Sequence, residues 1–114
     1  MPSIPYLRGR VYWVELDPIK GAEIAKTRPC VILSTDEVNQ YRKTVVVVPL
    51  TNTKTPPIAP LLIATPSMGA DSKARIEHLR GVDKSRIKGA IGDMDLADLQ
   101  AIEDALRRVL RLNR

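Results

Sequence analysis

An arginine and a threonine lie at the ends of two apolar segments that both favour β-strands. Arg28 precedes the first segment and Thr51 follows the second. If the segments pair as antiparallel strands with Ser34 opposite Val45, Arg28 faces Thr51 at one end of the pair. A guanidinium can donate two parallel hydrogen bonds to a phosphate, and a hydroxyl can donate a third. The pair therefore predicts a phosphate-binding site; the alternative is a strand-end arginine with a capping threonine.

The residue inventory argues against several other chemistries. The single cysteine, Cys30, and the single histidine, His78, disfavour a Cys/His zinc site and a nuclease that divides acid and base between two histidines. The sequence has no phosphate loop ending in Gly-Lys-Ser/Thr and no Rossmann glycine triplet. Asp93, Asp95 and Asp98 lie at the start of a predicted helix, where helix capping explains them better than a metal does. We therefore predict no metal and no cofactor.

The charge and the composition indicate a small globular protein with an anionic partner. The 114 residues include 18 Lys+Arg and 13 Asp+Glu, which gives a net charge of +5, and 44% are hydrophobic. This length predicts one domain over residues 1–114. Basic side chains gain affinity by releasing counterions from phosphates, and residues 73–88 are rich in them. The alternative for that segment is a solvated surface.

Three features predict a cytoplasmic protein with no membrane span. The longest uncharged stretch, 55–70, is too interrupted to form a membrane helix, because it contains Pro56, Pro57, Pro60 and Pro66. No apolar run precedes Arg8, which argues against a secretory signal. A single cysteine permits no intrachain disulfide, in agreement with a reducing compartment.

Short strands must position Arg28 and Thr51. Runs rich in β-branched residues predict strands at 11–16, 29–33, 45–50, 61–64, 74–79 and 87–91. The second and third runs are almost continuously apolar, which favours central strands covered on both faces. Residues 17–27 and the proline-rich segment after Asn52 predict exposed loops.

The helix signal is confined to the C-terminus. Apolar residues from Leu96 to Leu110 recur at three- and four-residue steps. Asp95 is expected to cap this helix, with Asp98 at the third helical position of a capping box and Met94 packed on Leu99. The predicted fold is a mainly antiparallel β barrel closed by this C-terminal helix.

Several motifs, in the same order along nearly the whole chain, resemble the MazF/PemK family of toxins. They are residues 8–14 (Arg-Gly-Arg-Val-Tyr-Trp-Val), 16–18, Gly21, Glu23, 27–29, 49–51, Arg80, 82–84, 86–87 and 91–92. The resemblance implies an SH3-like antiparallel barrel that forms a homodimer, with single-stranded RNA across the dimer interface. It also implies a metal-independent endoribonuclease that leaves 2′,3′-cyclic phosphate and 5′-hydroxyl ends and is neutralised by a cognate antitoxin.

The resemblance assigns the catalytic residues. Arg28 and Thr51 match the Arg and Thr to which chromosomal members of the family assign catalysis. A plasmid-borne branch uses an acid and an arginine on the strand that matches Arg75 and Glu77, with a histidine where this chain has Ala22. Glu77 is thus a candidate base with Arg75 beside it. On one strand face the two could instead form a surface ion pair.

Other polar side chains are candidate RNA contacts. His78 could stack on a base or bond its edge, although single histidines are often structural. The remaining candidates, for which a solvated surface is the alternative, are Lys20, Glu23, Thr53, Lys54, Arg80, Lys84 and Arg86. Tyr12 and Trp13 are expected in the core or in dimer packing, and Cys30 is expected to be a small buried apolar residue.

Two other functions share the predicted barrel. Non-nuclease toxins that bind DNA gyrase place a tryptophan near the C-terminus for that contact, whereas the only tryptophan here is Trp13. An RNA- or antitoxin-binding module without catalysis is the second alternative, and the presence of both Arg28 and Thr51 argues against it. The cognate antitoxin is expected to dock an acidic, disordered C-terminal segment in the basic groove.

Overall fold

Antiparallel strands and two helices make up the computed structural model, which describes residues 6–16 and 27–112. The elements are β1 (Arg10–Glu15), β2 (Thr27–Ile32), α1 (Asp36–Tyr41), β3 (Thr44–Asn52), β4 (Leu62–Ala64), β5 (Ser72–Arg75), β6 (Arg80–Asp83), β7 (Ile87–Asp93) and α2 (Leu96–Leu110). The predicted strands that became β1, β2, β3, β4 and β7 are confirmed, with ends that differ by at most two residues. None of the helices described is long and apolar enough to span a membrane.

The strands form one sheet in the order β4-β5-β3-β2-β1-β7, and β6 pairs with β3 beside β5. All of these pairings are antiparallel. Within residues 6–16 and 27–112, β4 and β7 lie at the two ends of this order and do not pair with each other, so the sheet is not a closed barrel. The mainly antiparallel fold with a C-terminal helix is confirmed.

Both faces of the sheet are covered by apolar side chains. On the helix face, residues such as Val31 and Val48 pack in one cluster with Leu99 and Ile102 of α2. The other face, which we call the distal face, carries Tyr12, Val14, Cys30, Ile32, Val45, Val47, Val82 and Ile87. Because successive strand residues point to opposite faces, strands buried on both sides are continuously apolar, as β3 is.

The register of β2 on β3 is the one expected from the sequence. Cys30 pairs with Pro49, Val31 with Val48 and Ile32 with Val47. This pairing begins at Cys30, directly after a proline that has no N–H to donate. Continued by two residues, the same register places Arg28 opposite Thr51.

Helix α1 lies in the connection between β2 and β3, so the expectation that helix is confined to the C-terminus is wrong. The hydroxyl of Thr35 accepts a hydrogen bond from the Val38 N–H at 3.5 Å and caps the helix. Asn39 is fully buried, and its amide donates to the Ser34 carbonyl at 3.0 Å. A six-residue helix is too short to show an apolar period, so only the cap residue signals it.

The strand predicted at 74–79 is wrong as a single element. β5 ends at Arg75, Ile76–His78 form one turn of 3-10 helix, and β6 begins at Arg80. Arg75 and Glu77 are therefore not neighbours on one strand face. No ion pair joins them among the described side chains.

A proline in β3 accounts for this break. β5 pairs with residues 50–52 of β3, and β6 pairs with residues 44–47 of the same strand. Val48 and Pro49 pair with neither. The Val46 carbonyl accepts from Leu33 on the β2 side, so the odd-numbered residues of β3 direct their backbone groups towards β5 and β6. Pro49 is one of these residues and has no N–H to donate. The opposing chain leaves the sheet at this point.

The start of α2 is held by a loop serine rather than by the predicted capping box. Asp95 is the N-cap residue, but its side chain makes no capping hydrogen bond. The Asp98 carboxylate instead accepts from the Ser67 N–H at 2.8 Å and from the Ser67 hydroxyl, which also accepts from the Asp95 N–H. Met94 and Leu99 lie in one buried cluster, as expected.

Candidate active site

Arg28 and Thr51 lie on the distal face of β2 and β3. Arg28 shares its face with Cys30, two residues away on β2, and Thr51 shares its face with Val47, four residues away on β3, because residues an even number apart on a strand lie on one face. The Arg28 side chain is exposed, and none of the described residues bonds its guanidinium. Thr51 is 8% exposed, and its hydroxyl has no partner within the described ranges. Within the described part of the chain, both side chains therefore have donors that no other residue uses.

The buried thiol of Cys30 is close enough to two arginines for their charges to affect it. Burial raises its pKa to about 12, while the positive charges of Arg80 and Arg28 act in the opposite direction. Arg80 pairs with Val47 and so belongs to the distal face as well. Its side chain is exposed, and no described residue bonds it. The distal face thus carries two arginines whose guanidinium donors no described residue uses, and Cys30 is buried as expected.

Lys73 is a site residue that the sequence did not indicate. It lies opposite Thr51 in the pairing of β3 with β5, and its side chain is only 6% exposed. Its Nζ donates to the Thr53 carbonyl at 2.8 Å. In the sequence it is one of many basic residues in 73–88, and only the strand register distinguishes it from its neighbours.

The loop after β3 begins beside Lys73. The Thr53 N–H donates to the Asp71 carbonyl at 3.0 Å, and the Thr53 hydroxyl accepts from the Thr55 N–H at 3.1 Å. Lys54 is 90% exposed and forms an ion pair of 3.3 Å with Asp71. Thr53 is therefore held in place, whereas Lys54 extends into solvent. A groove of about 400 Å³ borders Thr51 and is lined by Pro29, Leu50, Thr51, Asn52, Met68, Gly69, Ala70, Asp71 and Ser72.

Arg75, Glu77 and His78 lie where the chain leaves the sheet. All three side chains are exposed, and none has a hydrogen bond to another described side chain. They belong to the segment that passes Pro49 between β5 and β6, so they lie near the Thr51 end of β3. Across residues 6–16 and 27–112, no three His, Cys, Asp or Glu side chains are grouped so as to hold a metal ion.

Lys84 and Arg86 make contacts within the fold. The Nζ of Lys84 lies 5.5 Å from the centroid of the Tyr6 ring, which packs against the distal-face cluster. Arg86 donates to the Glu15 carbonyl at 3.3 Å. The hydrogen bonds that Asp83 accepts from Ser85 are the main cause of its lowered pKa. These cations border the distal face, farther along the sheet from Thr51.

Some predicted features can be placed only in part. Lys20 and Glu23, and with them residues 17–26 of the predicted loop, lie outside the described residues. Tyr12 is buried in the distal-face cluster, as expected for the core. The sequence predicts Trp13 either in the core or in dimer packing. It is 45% exposed, so the expectation that it lies in the core of the protomer is wrong.

A family model described as a PemK-like, MazF-like toxin of type II toxin–antitoxin systems matches residues 7–110. The chain belongs to this family. It is 34% identical over 113 residues to endoribonuclease MazF9 of Mycobacterium tuberculosis, with 92% of this chain and 96% of that protein covered. It is 31% identical over 110 residues to endoribonuclease MazF of Staphylococcus epidermidis, with 93% and 92% covered.

A solved structure has a fold similar to that of this chain. An endoribonuclease from a mycobacterial species, in complex with its cognate antitoxin, matches the chain with a TM-score of 0.74 and 26% identity. The match covers 95% of both chains. The resemblance inferred from the ordered motifs is confirmed, and the fold of the chain is similar to that of this endoribonuclease.

Proposed function

We propose that this chain is the toxin of a type II toxin–antitoxin system and an endoribonuclease that cleaves single-stranded RNA, including mRNA, in the cytoplasm. Family membership and relatives named endoribonuclease support this function. One observation carries the proposal. The register of β2 on β3, continued two residues beyond Cys30, puts Arg28 opposite Thr51 on the distal face, and none of the described residues occupies their donors.

The proposed reaction begins with attack of a ribose 2′-hydroxyl on the adjacent phosphorus, in line with the bond to the 5′-oxygen. The new P–O bond closes a 2′,3′-cyclic phosphate while the bond to the 5′-oxygen breaks. A base takes the 2′ proton, and the 5′-oxygen takes a proton from water to become a hydroxyl. Arg28 neutralises the charge that grows on the five-coordinate phosphorus, and Thr51 donates to a phosphate oxygen. No step requires a metal ion.

The proposed base is the carboxylate of Glu77, because a guanidinium is too basic to accept a proton at neutral pH. Glu77 is exposed near the Thr51 end of β3, and Arg75 ends the neighbouring strand. We expect Glu77→Gln to slow cleavage by roughly 10²–10⁴-fold, the usual contribution of a general base. A Glu77→Gln variant with a normal single-turnover rate would remove this residue from the catalytic set.

RNA is proposed to cross the distal face and the loops that border it. The exposed guanidinium of Arg80 extends the positive surface beyond Arg28. The other proposed contacts are Lys20, Glu23, Thr53, Lys54, His78, Lys84 and Arg86. Of these, Lys54 and His78 are exposed, which supports contact with RNA backbone or bases.

A homodimer and a cognate antitoxin are the proposed protein partners. Trp13 is half exposed on β1, and a large aromatic side chain of this kind supports a packing role between protomers. An acidic C-terminal segment of the antitoxin would neutralise the positive distal face and exclude RNA. The chain's net charge of +5 supports such a partner.

The deciding experiment incubates the purified protein with a long unstructured RNA in EDTA and maps cut positions and end chemistry. Cuts at one short motif with cyclic phosphate ends, lost in Arg28→Ala, would support the proposal. Arg107→Ala is the matched control, because Arg107 is exposed on α2 and pairs with Asp104 away from the site. Intact RNA after incubation with the folded wild type would reject the nuclease function, and DNA gyrase inhibition would then be tested.

A further inference from the structure

Lys73 is a buried cation whose charge is offset by no carboxylate in residues 6–16 and 27–112. Its side chain is 6% exposed, although lysine is almost never buried unless it is paired. The ammonium has three donors, and among the described residues the one acceptor it contacts is the neutral carbonyl of Thr53. No carboxylate among the described residues forms an ion pair with it. A buried charge with one neutral partner is costly, so this position favours an anion.

The strand register aligns Lys73 with the proposed phosphate site. Thr51 pairs with Lys73 across β3 and β5, and the continued register of β2 places Arg28 on its other side. Neighbouring strands lie about 4.8 Å apart, so Arg28 and Lys73 flank Thr51 in one row of about 10 Å. All three residues belong to the same face by strand alternation.

The position of the ammonium indicates which phosphate it reaches. Its acceptor belongs to Thr53, two residues beyond Thr51, a distance of about 7 Å along an extended chain. We infer that Lys73 binds the RNA phosphate next to the scissile one, while Arg28 and Thr51 hold the scissile phosphate itself. This inference rests on the proposed function and adds a residue that anchors the substrate strand.

Such a contact affects binding more than chemistry. A charge-assisted hydrogen bond lost at a neighbouring phosphate weakens binding by roughly tenfold or more and leaves the rate of the bound complex nearly unchanged. Each phosphate contact on a single strand also contributes about 0.7 to the slope of log affinity against log salt. A lysine that only holds the Thr53 loop in place would not change this slope.

Lys73→Gln is the most informative variant, because its amide can still donate to the Thr53 carbonyl but carries no charge. The probe is a 2′-O-methyl RNA oligonucleotide containing the mapped cleavage motif, which binds but cannot be cut. Fluorescence anisotropy between 50 and 300 mM KCl gives the affinity and the salt slope, and single-turnover cleavage of the matching RNA gives the rate. We expect the slope to fall by about 0.7 in Lys73→Gln and in Lys73→Met, and to be retained in Lys73→Arg.

Lys88→Met is the matched control. Lys88 also donates to one backbone carbonyl, that of Ser85 at 3.2 Å, but it is exposed on β7. The slope of log affinity against log salt for Lys88→Met should equal that of the wild type. An unchanged slope and affinity in a folded Lys73→Gln variant, with normal cleavage by the wild type, would overturn the role of Lys73 alone. A wild type that neither cuts nor binds RNA would overturn the proposed function as well. Thermal melts of each variant separate a folding defect from a lost contact.

Discussion

The guanidinium of Arg28 is exposed and has no partner in the described part of the chain, so the fold gains little from it. We therefore expect Arg28→Ala to keep the stability of the wild type in urea while cleavage falls by roughly 10²–10³-fold, as is typical for loss of one preorganised donor. The measurement is single-turnover cleavage at saturating enzyme. A folded variant that cuts within tenfold of the wild type would contradict the role assigned to Arg28.

Because the pKa of the Cys30 thiol is raised, we expect the free energy of unfolding to depend on pH. Its pKa is raised to about 12 in the folded protein, whereas an unfolded cysteine titrates near 8.5. Its contribution to stability is therefore complete below about pH 8.5. That contribution is lost at about 1.4 kcal/mol per unit as the pH rises towards 12, because only the unfolded chain releases the proton.

The comparison variant for this test is Cys30→Ala, which removes the titrating group and keeps the other residues. Between pH 7.5 and 10, the free energy of unfolding of the wild type should fall by about 2 kcal/mol more than that of Cys30→Ala. Equilibrium urea unfolding at both pH values measures the difference. Equal losses in the two proteins would show that the thiol ionises in the folded state as easily as in water.

Two aspartates at the start of α2 differ in role, although either could be a cap by sequence. Asp98 accepts two hydrogen bonds from Ser67, whereas the Asp95 side chain makes no capping bond. We expect Asp98→Ala to lower the free energy of unfolding by about 1.5–3 kcal/mol, the range for hydrogen bonds to a charged group. Asp95→Ala should cost well under 1 kcal/mol by the same urea measurement. A larger loss of unfolding free energy in Asp95→Ala than in Asp98→Ala would support capping by Asp95, as the sequence predicts.

The strands could be predicted because their apolar runs are long and rich in valine. The β2–β3 register followed from matching the two runs end to end, and it holds at Cys30, Val31 and Ile32. The break after Arg75 could not be predicted from its own residues. Its cause, Pro49, belongs to the strand that faces the break, and the effect exists only once the two strands are paired.

The candidate site shows the same limit. Arg28 and Thr51 could be proposed because each directly borders a strand that the sequence identifies. Lys73 could not, since burial of a lysine depends on the loop at Thr53, which is distant in sequence and near in space. The type of a residue shows which chemistry it can perform, but only the strand register shows which residues surround it.

Assembly of the whole molecule is expected to depend on Trp13. This side chain is 45% exposed on β1, and a buried tryptophan is a frequent energetic centre of an interface. We expect the wild type to sediment at twice the mass of the 12.7 kDa chain, and Trp13→Ala to weaken the dimer by roughly 30-fold. Tyr41→Ala is the control, because Tyr41 is a 77% exposed aromatic residue on α1. A wild type that is monomeric at micromolar concentration would contradict the proposed dimer.

The turn Ile76–His78 has a consequence for how this molecule can change over evolutionary time. The strands on either side of it are fixed independently, by Ala74 on Leu50 and by Arg80 on Val47. Replacement of an exposed side chain between these two anchors therefore shifts neither register. Ile76 is fully buried in the core and Glu77 is the proposed base, but the exposed His78 can change without cost to the core. A lineage could acquire a new RNA preference there while keeping the same fold.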